Sequence, residues 1–188
     1  MIHLEDSKII ELFFERSENA IVELSNKYGS LCSKVANNIL NDRLDAEECV
    51  NDTYLGVWNT IPPQRPNPLV SYVCHIVRNL AIMKYHSNTA AKRNSVYDVA
   101  LDELENCFAS AQSVEDEFNA KMTAEIIDRF LLSLDKDSRV IFVRRYYHAE
   151  SISDIAELFN TSNHYVSVRL SRTREKLKKH LIKEGVSL

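Results

Sequence analysis

The chain has 188 residues, 23 Lys and Arg against 27 Asp and Glu, a formal charge of −4, and 45% hydrophobic residues. That length suits one domain or two small ones, and that hydrophobic content builds a packed core and excludes a largely disordered chain. No apolar run nears the ~20 residues that span a bilayer, residues 1–6 lack a secretion signal's basic-then-apolar order, and cysteines 32, 49, 74 and 107 form no CxxC or finger-like pattern. A cytoplasmic chain with reduced thiols, no membrane insertion, no metal and no cofactor is expected. With only 3 Gly and 4 Pro, the chain reads as all-α.

Taken in order, Ala20, Ile21, Leu24, Tyr28, Leu31, Val35 and Ile39 keep helical spacing from 19 to 40. Asp45-Ala46-Glu47-Glu48 has the form of a capping box. The helix after it is expected to bury Ala46, Cys49, Val50, Thr53, Val57 and Ile61, and to stop at Pro62-Pro63. Glu48, Asn51, Asp52, Leu55 and Asn59 then fall on its outer face. A further helix is expected from about 69 to 86, with Leu69, Val73, Ile76, Val77, Leu80 and Met83 on one side. Residues 95–116 are acidic and weakly periodic, and read as a linker with a helical patch around 101–107. Helices are expected near 117–134, 137–147, 152–159 and 163–182.

The last two of these carry the clearest motif. Ser151-Ile152-Ser153-Asp154 is a capping box, Ala156 is small where two helices cross, and Ser162 closes a three-residue turn as the next N-cap. This is the layout of a helix-turn-helix, whose second helix enters the major groove. Asn163, His164, Tyr165, Ser167, Val168, Arg169, Ser171 and Arg172 are its expected outward positions. Residues 163–183 hold seven bases and one acid. Such a helix has donors for base edges and cations for phosphates.

The net charge conceals blocks. Residues 1–52 hold 11 acids and 5 bases, and 53–97 hold 5 bases and no acid; 98–138 hold 11 acids and 3 bases, and 139–188 hold 5 acids and 10 bases. Two basic blocks on an acidic chain allow a polyanion to be gripped twice and repelled elsewhere. No nucleophile is paired with a base and no phosphate loop, GxSxG or HExxH occurs, so no enzyme is expected.

Two segments resemble the bacterial sigma factors of the two-domain, extracytoplasmic-function (ECF) group. Residues 45–58 (DAEECVNDTYLGVW) with 72–81 (YVCHIVRNLA) are similar to that group's region 2. Residues 134–177, with Ile155-Ala156, Val166-Ser-Val-Arg-Leu170, Arg172 and Arg174, are similar to its region 4. The resemblance implies two small helical domains, 1–94 and 117–188, joined by the acidic linker 95–116, which would follow the path of nascent RNA. It implies an initiation subunit that binds core RNA polymerase through the β′ clamp and the β flap, and reads promoter DNA at the −10 and −35 elements. A monomer when free, and an anti-sigma protein as a further partner, also fit the group.

Residue by residue, the resemblance assigns Glu48, Asn51, Asp52, Leu55 and Asn59 to the polymerase clamp. Tyr72, His75, Arg78, Asn79, Lys84, His86, Ser87, Asn88, Lys92 and Arg93 go to the −10 DNA, with Tyr85 open between core and DNA. Asn163, His164, Tyr165, Ser167, Arg169, Arg172 and Arg174 go to the −35 DNA. The group more often has Trp at position 72, Asp at 83, Thr at 165 and Lys at 167, so a different −35 preference is expected. A stand-alone helix-turn-helix regulator is the competing reading; it would bind duplex DNA without polymerase.

Overall fold

The structure, a computed structural model, describes residues 4–88, 96–105 and 116–186. Nine α-helices and no strand occur among them. The fold is all-α. The chain divides into two compact units, Met1–Val96 and Tyr97–Leu188.

The first unit contains α1 (Asp6–Phe14), α2 (Asn19–Leu40), α3 (Arg43–Thr60) and α4 (Leu69–Ser87). The helices α2, α3 and α4 pack mutually, and α1 lies on α2. All six residues expected inside α3 are buried: Ala46, Cys49, Val50, Thr53, Val57 and Ile61. The helix stops at Thr60, two residues before Pro62. Its N-cap is Asp42, not Asp45: the Asp42 carboxylate accepts from the amides of Leu44 and Asp45 at 3.0 and 3.2 Å. Asp42-Arg43-Leu44-Asp45 fits the same cap pattern one turn earlier, which leaves the Asp45 carboxylate available to α4. Helix α1 carries a pattern too short to notice in the sequence, yet Ile9, Ile10 and Phe13 are all buried. At Gly29 the α2 backbone comes close to α3, since a Cβ there would sit 2.9 Å from the Tyr54 hydroxyl.

The buried stripe of α4 is Leu69, Val73, Cys74, Val77 and Ala81. Met83, expected on that stripe, is instead 68% exposed. At 100° per residue, Met83 lies on the flank of the stripe, in line with Tyr72, Ile76 and Asn79.

In the second unit, α5 (Val96–Glu105) precedes α6 (Asp116–Ser133), α7 (Lys136–Tyr146), α8 (Ile152–Leu158) and α9 (Asn163–Lys183). Part of the segment expected as linker is therefore helical, and Tyr97 and Ala100 of α5 are buried. Residues 106–115 lie outside the described residues, as does Cys107. The core gathers Ile126, Phe130, Ile141, Phe142, Ile155, Val166, Leu170, Leu177 and Leu181. A charged network is set into it. The Arg145 side chain is 3% exposed and reaches Glu103 of α5 at 2.8 Å. Glu103 also accepts from Arg174 of α9 at 3.0 Å and from the Tyr146 hydroxyl at 2.8 Å. Glu150, 2% exposed, pairs with Arg144 at 2.9 Å, and its carbonyl accepts from Arg145. Buried charges persist only when paired in this way.

Candidate nucleic-acid interface

The helix-turn-helix is built by short-range chemistry. The Ser151 hydroxyl accepts from the Asp154 amide at 3.0 Å and starts α8. The helix α8 ends with Asn160 in the left-handed region, φ 49°. The amides of Asn160 and Thr161 turn back to the carbonyls of Glu157 and Ala156, a Schellman-type stop. The Ser162 hydroxyl then accepts from the Tyr165 amide at 3.2 Å and starts α9. Buried Ala156, Val166 and Leu170 hold the two helices together.

This packing leaves one face of α9 outward. Asn163, His164, Tyr165, Ser171 and Arg172 are exposed, and Ser167 and Val168 are half-buried. Arg169 and Arg174 belong to the same sequence block but are turned inward. Arg169 donates to Asp135 at 2.6 Å and to the Ser138 hydroxyl at 2.9 Å, and also bonds the Tyr165 hydroxyl. Asp135 is itself the N-cap of α7, accepting from the Ser138 amide at 3.0 Å. These hydrogen bonds from Ser138, with the Arg169 guanidinium beside it, hold the Asp135 carboxyl below its ordinary range. Arg174 is bonded to Glu103 and the Tyr146 hydroxyl, as above. Sequence counting offers both arginines to DNA; in the structure Arg169 is bonded to Asp135 and Ser138 at the start of α7, and Arg174 to Glu103 of α5. Glu103 and Asp135 carry no sequence signal for this, since each is one acid in an acidic stretch.

On the first unit two outer faces stand ready. Along α3, Glu48, Asn51, Asp52, Leu55 and Asn59 are all exposed. Leu55 is 57% exposed. Along α4, His75, Asn79, His86, Ser87 and Asn88 are exposed, and Tyr72, Arg78, Lys84 and Tyr85 are half-buried. The Asn79 amide and His75 Nε2 lie 3.0 Å apart. Tyr85 stacks edge-on against His86 at 5.6 Å between ring centres. Lys92 and Arg93 lie outside the described residues.

The two faces are tied at one end. Lys84 donates to Glu48 at 2.6 Å and lies 3.5 Å from Asp45. The Asn88 amide donates to Asp45 at 2.8 Å. The Glu48 carboxylate holds Lys84 above its ordinary range, with Asp45 adding to the effect. The last turn of α4 is thereby fixed to the first turns of α3. Buried Cys32 has its thiol pushed up to about 12, chiefly by desolvation, which keeps it out of thiolate chemistry.

Among the described residues, no cluster of His, Cys, Asp and Glu could hold a metal ion. No helix there is long and apolar enough to cross a membrane. The chain so far presents a helix-turn-helix with an outward polar face in one unit, and an acid-free helix face in the other.

Comparison with known proteins agrees with both units. Residues 24–90 match the family model described as sigma-70 region 2, and residues 124–177 match sigma-70 region 4. Together the two span more than half of the chain, in the order of the resemblance. No curated protein matches. A solved structure described as CnrH in complex with the cytosolic domain of CnrY is similar at 18% identity and a TM-score of 0.45, covering 95% of this chain and 97% of that one. The family therefore rests on the two matched regions and the residues within them. With region 2 on α2–α4 and region 4 on the helix-turn-helix unit, the chain belongs to the sigma-70 family, in its two-domain ECF form, and binds core RNA polymerase to direct promoter-specific transcription initiation.

Proposed function

We propose that the outer face of α3 is the surface that meets the β′ clamp of the polymerase. The observation that carries this is Leu55, 57% exposed on a helix whose opposite side is wholly buried. Asp52 and Asn51 stand three and four residues before it, and Asn59 four after, so they flank it on the helix surface. An exposed apolar side chain ringed by polar ones has the make-up of an interface centre. Glu48 closes the same face and holds Lys84.

The outer face of α4 takes the −10 DNA, through Tyr72, His75, Asn79, His86, Ser87 and Asn88, with Arg78 and Lys84 at its margins. The start of α9 takes the −35 DNA, through Asn163, His164, Tyr165, Ser167 and Arg172. Arg169 and Arg174 act as positioning residues for that helix. The second unit also rests on the β flap. The two functional domains are the two compact units, the second of which takes in residues 97–105 of the segment read from the sequence as linker. The chain acts in the cytoplasm, as a monomer when free and without catalysis of its own. An anti-sigma partner would act by covering the α3 face or the α9 face.

The test is Asp52→Arg, titrated against sigma-free bacterial core polymerase. Placing a cation in an interface matched to an acid lowers the affinity about tenfold or more. The helical circular dichroism stays unchanged, because Asp52 is exposed. Unaltered core affinity would remove this face from the clamp.

A further inference from the structure

Met83 is the most exposed large apolar residue of the last turns of α4, at 68%. A singly exposed methionine is ordinary on a protein surface; its surroundings set this one apart. Asn79 stands four residues before it and His86 three after, so both are its neighbours on the helix surface. Tyr72 and Ile76 continue the same line toward the N-terminus of α4. No acid occurs anywhere in residues 53–97. The face is therefore polar, and apolar at one projecting point; it carries no acid of its own, and the Glu48 and Asp45 carboxylates that reach the last turns of α4 are bound to Lys84 and Asn88.

That point sits on a rigid base. The opposite side of α4 is locked by Val73, Val77 and Ala81, all buried. The residue after Met83 is Lys84, held by Glu48 at 2.6 Å. The Asn88 amide, one turn further on, is held by Asp45 at 2.8 Å. An unbranched, polarisable side chain on such a support suits insertion between flat rings. Proteins that open or kink a duplex drive apolar wedges, methionine among them, between base steps.

We propose that Met83 is the wedge of the −10 face: its thioether enters between the bases of the −10 element and takes the place of the stacking lost as the strands part. This rests on the assignment of the outer face of α4 to −10 DNA. Met83 thereby contributes to strand opening and not to holding the polymerase.

The experiment uses the full chain with core polymerase, at a promoter where the wild type initiates. Each variant is assayed on the closed duplex and on the same promoter with a non-complementary, pre-opened −10 region. Met83→Ala and Met83→Gln are expected to give roughly tenfold fewer run-off transcripts on the duplex, the scale of one lost stacking contact. Both are expected to match the wild type on the pre-opened template, and Met83→Leu to restore most of the duplex activity. Core affinity is expected to be unchanged in all three. Equal losses on both templates, or a fall in core affinity, would place Met83 against polymerase and overturn the proposal. Full duplex activity in Met83→Ala would overturn it as well. A wild-type chain that starts transcription at no promoter would refute the initiation assignment itself, an outcome that no Met83 variant can imitate.

Discussion

In the first unit, helices close over side chains such as Phe13, Leu24, Ile39 and Val77, each with no exposed surface. In the second, Arg145 and Glu150 are almost as deeply buried as the aliphatic core around them. The first unit holds Lys84 of α4 on Glu48 at its surface. The second holds Arg169 and Arg174 of α9, on Asp135 and on Glu103 of α5. A count of basic residues thus overstates the charge that α4 and α9 turn outward. Neither apolar burial nor a pair as enclosed as Arg145–Glu103 responds much to screening, whereas exposed pairs such as Arg65–Glu11 do.

Truncating the apolar core sets the upper mark. Ile39→Ala is expected to destabilise the first unit by about 2–5 kcal/mol, with little change between low and high salt in chemical denaturation. A cost that shrinks steeply with salt would break the contrast. Next is Glu103→Gln, which removes the acid shared by Arg145, Arg174 and Tyr146. With Arg145 nearly buried, the second unit is expected to lose about 3 kcal/mol, with little change as salt rises. An unaltered melting curve would show that α5 is incidental to this unit.

A smaller effect separates reading residues from struts. Arg172→Ala is expected to lower affinity for −35 promoter DNA and the salt slope of binding by about one unit, at unchanged melting temperature. Arg169→Ala is expected to lower the melting temperature too, because it frees Asp135 and Ser138. If the two variants behave alike in melting, the strut assignment fails.

The smallest effect is in pH. The folded Asp135 carboxyl lies below its ordinary value of 3.8. Its contribution is therefore complete above that value and disappears as pH falls through the lowered one. The melting-temperature gap between wild type and Asp135→Asn is expected to be constant above about pH 5 and to close below about pH 4. A gap that persists in acid would refute the cap and its arginine.

Short-range chemistry was legible in the residues. Ser151 and Ser162 announce their caps, and the spacing in α3 announces its six inward residues and five outward ones. The cap of α3 reads as Asp45 in the sequence but is Asp42, because the helix begins one turn earlier and Asp45 turns to Lys84 and Asn88 of α4, a contact no local pattern shows. Met83 was misplaced because a one-sided stripe has flanks, and only the neighbouring helices decide which flank is covered. Ser138 and Asp135, which hold Arg169, and Glu103, which holds Arg174, lie 31 to 71 residues away, beyond any local pattern. Helix α5 was half hidden by its acidity, since Glu103 reads as a solvated charge until Arg145 is placed beside it.

The most direct measurement combines the purified chain, sigma-free bacterial core polymerase and fragmented genomic DNA from the source organism, and maps the 5′ ends of the transcripts. Discrete starts preceded by two shared motifs, one for each unit, are expected. No starts, together with a mobility shift of duplex DNA by the chain alone, would contradict the initiation role and leave a helix-turn-helix protein that acts without polymerase.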